Sequence, residues 1–168
     1  TGKTTIARLI ASEVASDWSI EELDAGSLTQ ASLKQVEQEW YQYGLGEKAG
    51  RAYLINEVHG MRKDAIRHML VMLERIPKHV VVVFTSTVTA SETFFEEKED
   101  ATPLFSRCCV LNLAMRDIAT PFAARALEIA KREKLAGSYE LKDMVKLFQA
   151  HRNNFRAVLS AIECGECL

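Results

Sequence analysis

Five consecutive residues, Val80-Val81-Val82-Val83-Phe84, constrain the fold of this chain more than any other stretch. They are β-branched or aromatic, and no polar residue alternates among them, so a strand built from them is expected to be covered on both faces. A second run, Ala52-Tyr53-Leu54-Ile55, is also mostly apolar and delivers the polar residues Asn56 and Glu57 before a turn at Val58-His59-Gly60. Between the two runs, Ile66, Met69, Leu70, Leu73 and Ile76 recur at helical spacing from about Lys63 to Arg75, and Pro77 stops the pattern. Strand, helix and strand in alternation predict a parallel sheet between helices, and ligands of such sheets bind at the C-terminal ends of the strands. Asn56 and Glu57 arrive at that edge, and the valine-rich run ends there in Thr85-Ser86-Thr87.

The chain opens on Thr1-Gly2-Lys3-Thr4-Thr5, and Ile6, Leu9, Ile10 and Val14 follow at helical spacing. Gly-Lys-Thr before a helix is the end of a P-loop, whose full form is glycine, four residues, then Gly-Lys-Ser/Thr. Glycine lets backbone N–H groups close on phosphate oxygens, lysine reaches the terminal phosphates, and the hydroxyl ligates Mg²⁺. The first glycine and the strand before such a loop are expected upstream of Thr1. Trp18 to Leu23 predicts a short strand ending at Asp24-Ala25-Gly26, and Ser32 is expected to cap a helix running to about Tyr43 before a loop with Gly44, Gly46 and Gly50. Glu96-Glu97-Lys98-Glu99-Asp100 reads as a solvated loop or helix end, and a last strand is expected over Cys109 to Leu113. Thereafter the period is helical. Thr120-Pro121 starts one helix to Leu135, Leu141, Met144, Val145 and Phe148 mark a second, and Phe155, Val158, Leu159 and Ile162 a third.

The 168 residues carry a net charge of −2, so no overall field draws the chain to nucleic acid, and any such contact must be local. Arg62, Lys63 and Arg67 are the local basic cluster, read as a solvated helix face or as a DNA contact. No apolar run approaches the ~20 residues of a membrane span. Four cysteines, Cys108, Cys109, Cys164 and Cys167, are read as reduced thiols in a cytoplasmic protein, although Cys164-x-x-Cys167 has the spacing of a metal pair.

Taken in order, Gly2-Lys3-Thr4, Leu54-Ile55-Asn56-Glu57-Val58-His59, Ser106-Arg107-Cys108 and Asn154-Phe155-Arg156-Ala157-Val158-Leu159 resemble the AAA+ ATPases, most closely the clamp-loader branch of the DNA polymerase III gamma/tau, delta-prime and replication factor C type. The resemblance implies an α/β P-loop core over 1–114, its first strand missing, followed by an all-helical lid over 115–168. It implies ATP and Mg²⁺ as ligands. Gly2, Lys3, Thr4 and Thr5 would hold the phosphates, with Thr4 on Mg²⁺, and Glu57 would polarise the attacking water. Thr87, with Ser86 as the less favoured neighbour, would be the sensor at the strand end. Arg107 would act in trans on a neighbouring subunit, and Arg156 would reach the γ-phosphate from the lid. His59 is expected to be a hydrogen-bonded histidine rather than a metal ligand.

One position departs from the family. Asn56 stands where an aspartate normally supports Mg²⁺ through water, and an amide brings no negative charge to that place. Two readings stay open: an ATP-hydrolysing subunit of a clamp-loader-like ring or arc acting with other AAA+ subunits, a sliding clamp and DNA, or a non-hydrolysing module that lends Arg107 to a catalytic neighbour. A third, a helicase of the Asp-Glu-x-His type, predicts a second nucleotide-binding domain in place of the closing helices.

Overall fold

The computed structural model describes residues 2–87, 101–113, 117–135 and 140–165. The chain divides into two compact units, Gly2–Asn112 and Leu113–Leu168. In the first unit, helix α1 (Lys3–Val14) leads into strand β1 (Ala15–Asp24), helix α2 (Gln30–Glu39), strand β2 (Gly50–Asn56), helix α3 (Lys63–Glu74), strand β3 (Val80–Phe84) and the short helix α4 (Ala101–Ser106). The three strands form a parallel sheet in the order β1-β2-β3, with Glu22 opposite Leu54 and Leu54 opposite Val83.

Because side chains alternate along a strand, this register sorts the sheet into two faces. Ala52 and Leu54 pack with Ala7, Ala11 and Ala15, flanked by the partly buried Ile20, Val81 and Val83. Alanines one helical turn apart in α1 give it a flat, narrow face, which lets the helix lie close on the sheet. On the other side Tyr53 and Ile55 join Leu33, Val36 and Trp40 of the α2 region and Ile66, Met69 and Met72 of α3. This is the larger layer. Burial of each of these large side chains contributes roughly 1.5–3 kcal/mol.

β3 has helices on both faces, as expected: Val81 and Val83 pack on the α1 side and Val80, Val82 and Phe84 on the other, with Val80 buried and Val81 to Phe84 half-buried. Two sequence expectations need correction. Cys109 to Leu113 form no strand, since strand propensity without a neighbouring ladder leaves the backbone groups unpaired; Val110 and Leu111 are exposed. Ser32 is not the cap of α2. Thr29 is, and its hydroxyl accepts from the Ser32 N–H while the Ser32 hydroxyl accepts from the Thr29 N–H, a reciprocal pair that ends the helix two ways at once. The acidic run from Glu96 to Asp100 lies outside the described residues, and α4 begins just after it.

The second unit holds α5 (Ala119–Arg132), α6 (Leu141–Ala150) and α7 (Phe155–Glu163). Ala123, Ala126, Ala130, Met144, Phe148, Val158 and Ile162 form its core. Phe122 meets Phe155 edge-on, with ring centres 5.2 Å apart at 90°. Asn154 caps α7 by accepting from the Ala157 N–H. α5 starts one residue before Thr120, so Pro121 falls in its first turn, where no N–H is required of it. Among the described residues no helix is long and apolar enough to cross a membrane.

The join between α1 and the sheet depends on Gly50, where an added Cβ would sit 2.3 Å from the Val14 carbonyl oxygen and 2.6 Å from Val14 Cγ1. Gly50→Ala is expected to destabilise the chain by about 1–3 kcal/mol, because backbone must shift to make room. Gly60→Ala is the control: its Cβ would meet nothing nearer than 3.7 Å, and denaturant melts should place it within about 0.5 kcal/mol of the wild type.

Candidate functional site

Two contacts fix the direction of α1. Its last turn lies against Gly50 at the start of β2, and Arg8, nearer its beginning, reaches Glu22 near the end of β1. The helix therefore runs opposite to the strands, and its first turn stands over their C-terminal ends. Gly2 caps it in the left-handed region at φ 78°, a conformation that glycine takes without strain. Gly2 has no side chain to cap this end, and the helix dipole puts partial positive charge at the first turn. An anion suits that position.

At the strand ends the polar side chains are joined in a chain of hydrogen bonds. Arg8 Nη2 donates to Glu22 Oε2 at 2.6 Å, and Asn56 Nδ2 donates to Glu22 Oε1 at 2.6 Å. Thr85 Oγ1 donates to Asn56 Oδ1 at 2.9 Å and accepts from the Glu57 N–H at 3.3 Å. Thr85 is buried, so its hydroxyl needs both partners. Arg8, and then the Asn56 amide, hold the Glu22 carboxyl below its ordinary 4.5, against the opposing effect of burial. The chain thus joins α1, β1, β2 and β3 at one edge.

Glu57 follows immediately and occupies the left-handed region at φ 54°, unusual for a side chain with a Cβ. Strain of this kind, held by the Thr85 bond to its N–H, aims the carboxylate out of the sheet. Thr87 Oγ1 donates to Glu57 Oε2 at 3.3 Å, and His59 Nδ1 lies 3.3 Å from the same oxygen. The Ser86 hydroxyl is 3.5 Å from His59 Nδ1.

Of the residues expected to act together, Asn56, Glu57 and Thr87 are gathered at one edge, and Gly2 to Thr5 begin the helix above it. Arg107 is elsewhere in the same unit, ion-paired with Glu74 at 2.6 Å at the end of α3 and donating to the Pro103 carbonyl. Arg156 is exposed in the first turn of α7, in the second unit. Arg62, Lys63 and Arg67 are exposed at the start of α3. Cys108, Cys109 and Cys164 are free, burial pushes the Cys108 thiol up, and Cys167 lies outside the described residues. Sequence reasoning missed Glu22, Arg8 and Thr85. A signal existed: once Trp18 to Leu23 is read as a parallel strand, alternation puts Glu22 on the same face as Ile20, where a carboxylate demands a partner.

Among the described residues no group of three or more His, Cys, Asp or Glu side chains is placed to hold a metal ion. The hydroxyl and amide oxygens at this edge fit Mg²⁺, which takes one or two protein oxygens and keeps phosphate and water for the rest.

No family model matches the chain, and no curated protein matches it. Solved structures do. The Thermotoga maritima RuvB Holliday junction branch migration motor aligns over 96% of this chain and 49% of its own, at 17% identity and a TM-score of 0.66. A lysine-to-arginine variant of that motor covers 96% and 50% with a TM-score of 0.72 at 17% identity. A DNA polymerase III gamma subunit-related protein from the same organism covers 96% and 50%, with a TM-score of 0.53 at 12% identity. The chain spans about half the length of these proteins. The chain shares their fold: among the described residues, a three-stranded parallel sheet flanked by helices, with further helices after it.

The hydroxyl of Thr85 makes a direct prediction. Thr85→Val keeps the shape but strands the Glu57 N–H and removes a donor from Asn56, so it is expected to cost about 1–3 kcal/mol in urea unfolding. Thr85→Ser keeps both bonds and should recover most of the loss.

Proposed function

We propose that this chain is the nucleotide-binding part of an ATP-hydrolysing AAA+ subunit that works in a ring or arc with other AAA+ subunits on DNA, in the manner of a clamp loader. The observation that carries the reading is the meeting of Glu57 and Thr87 at the strand ends beneath the first turn of α1. Lys3 and the N–H groups of that turn would bind the β- and γ-phosphates of ATP, and Thr4 with Asn56 would hold Mg²⁺. When bound, the ion neutralises charge on the phosphate oxygens. Glu57 orients water and takes its proton, while Thr87 keeps the carboxylate directed.

Arg107 is assigned to a neighbouring subunit's nucleotide by its place in Ser106-Arg107-Cys108, and it must leave Glu74 to act there. Arg156 is assigned to the γ-phosphate by its place after Asn154-Phe155. A cation in the first turn of a helix opposes the dipole, a cost of a few tenths of a kcal/mol that a bound anion removes. The clamp-loader branch is favoured by the Ser-Arg-Cys turn. The likeness to a branch migration motor supports DNA as the substrate of the assembly, with Arg62, Lys63 and Arg67 as its contact and the cytoplasm as its place.

A second reading has its own observation. Asn56 carries no charge, and both ends of its amide are engaged, so the chain as a nucleotide-holding module that does not hydrolyse ATP is the alternative. Binding and turnover separate them. In the full-length protein, Lys3→Ala is expected to weaken fluorescent mant-ATP binding by about 30-fold, the loss of charge-assisted bonds worth about 2 kcal/mol; undiminished affinity would remove ATP from the claim. Glu57→Gln should bind as the wild type does and lower single-turnover hydrolysis by about 100-fold. An equal rate in the two proteins would select the non-hydrolysing module.

A further inference from the structure

The Glu22 carboxylate belongs to no part of the mechanism above, yet it receives both of the shortest hydrogen bonds at the sheet edge, from Arg8 and from Asn56. A carboxylate only accepts, so it dictates the orientation of the Asn56 amide: Nδ2 must face Glu22, which leaves Oδ1 to face the Thr85 hydroxyl. That hydroxyl in turn holds the N–H of Glu57, in its left-handed turn. We infer that Glu22 is a positioning residue of this site: it locks the Asn56 amide, keeps the Glu57 turn in place through Thr85, and carries on β1 the negative charge that position 56 lacks.

The inference rests on the nucleotide reading only for what the turn is used for; the pairing itself does not depend on it. It explains why asparagine stands at position 56. An aspartate there would set two carboxylate oxygens at hydrogen-bonding distance, a repulsion that forces one to take up a proton. The charge and the amide must sit on different strands, and this chain has the charge on β1. The same geometry is available with the two exchanged: a glutamine at position 22 donates to an aspartate at position 56, whose other oxygen still accepts from Thr85.

Charged groups near Glu22 are few. Arg8 faces it from α1, β2 offers the neutral Asn56, and Asp24 follows two residues on, along the same face of β1.

The test is the exchange, made in the full-length protein as Asn56→Asp, Glu22→Gln and the double variant. At pH 8, Asn56→Asp is expected to lower Tm by about 4 °C, and the double variant to recover most of that loss. Glu22→Gln alone removes the acceptor that fixes the Asn56 amide and should also lower Tm at pH 8.

Positioning is read on single-turnover hydrolysis, or on mant-ATP affinity if the wild type does not turn over. Asn56→Asp should lose about tenfold, and the double variant should regain it. If Asn56→Asp cannot fold alone, folding of the double variant counts as the rescue. A wild-type Tm for Asn56→Asp at pH 8, or a double variant no better than the single, overturns the pairing. Loss of Tm with unchanged rate and affinity overturns the positioning role. Loss of nucleotide binding in Lys3→Ala is decided separately and does not move either melting result.

Discussion

Everything at the candidate site depends on parallel pairing that keeps one register from Ile20 of β1 to the strand ends. Because β1, β2 and β3 all run the same way, their last residues arrive together, and Glu22, Asn56 and Thr85 project on the α1 side while Leu23, Ile55 and Phe84 project on the other. A slip of one residue in β2 would turn Asn56 to the α3 side and send Ile55 into the polar row. The register is held by burial on both faces. Ala52 and Leu54 cannot exchange places with Tyr53 and Ile55, since the alanine face of α1 has no room for a tyrosine and the α2 and α3 layer would be left with a void.

The polar edge is therefore built on an apolar decision made several residues earlier. Its own bonds contribute less to folding than to geometry. Arg8 and Glu22 form a pair that is largely exposed at Arg8, and such pairs are worth about 1 kcal/mol or less. Thr85 is different, because its hydroxyl is buried and each of its partners would be stranded without it. Stability is concentrated at Thr85 and direction at Glu22. A helix, a strand and two strand ends share one network, which gives the Glu57 turn little freedom despite its position outside the sheet.

Much of this was legible in the residues. Apolar runs bounded by Gly, Pro and polar pairs identified β2 and β3, helical spacing identified α1, α3 and the three helices of the second unit, and the strand-end position of Asn56, Glu57 and Thr87 followed from the runs. What escaped had physical causes. Cys109 to Leu113 have strand propensity and no ladder to join among the described residues. Thr29 and Ser32 are both capping residues, and only the backbone conformation decides which of the two begins the helix.

Glu22 and Asn56 show why a motif read along one segment is incomplete. Along β2, Asn56 looks like a lost charge. Across the sheet, the charge lies 2.6 Å away on a strand 34 residues earlier in the chain. Electrostatic function at a sheet edge belongs to the set of side chains that share a face, because at hydrogen-bonding distance the field of a carboxylate barely distinguishes which strand carries it. Orientation does distinguish them: the donor and acceptor ends of an amide are fixed by its neighbours, and with Glu22 fixed as an acceptor every bond from Arg8 to the Glu57 N–H has only one direction in which it can run.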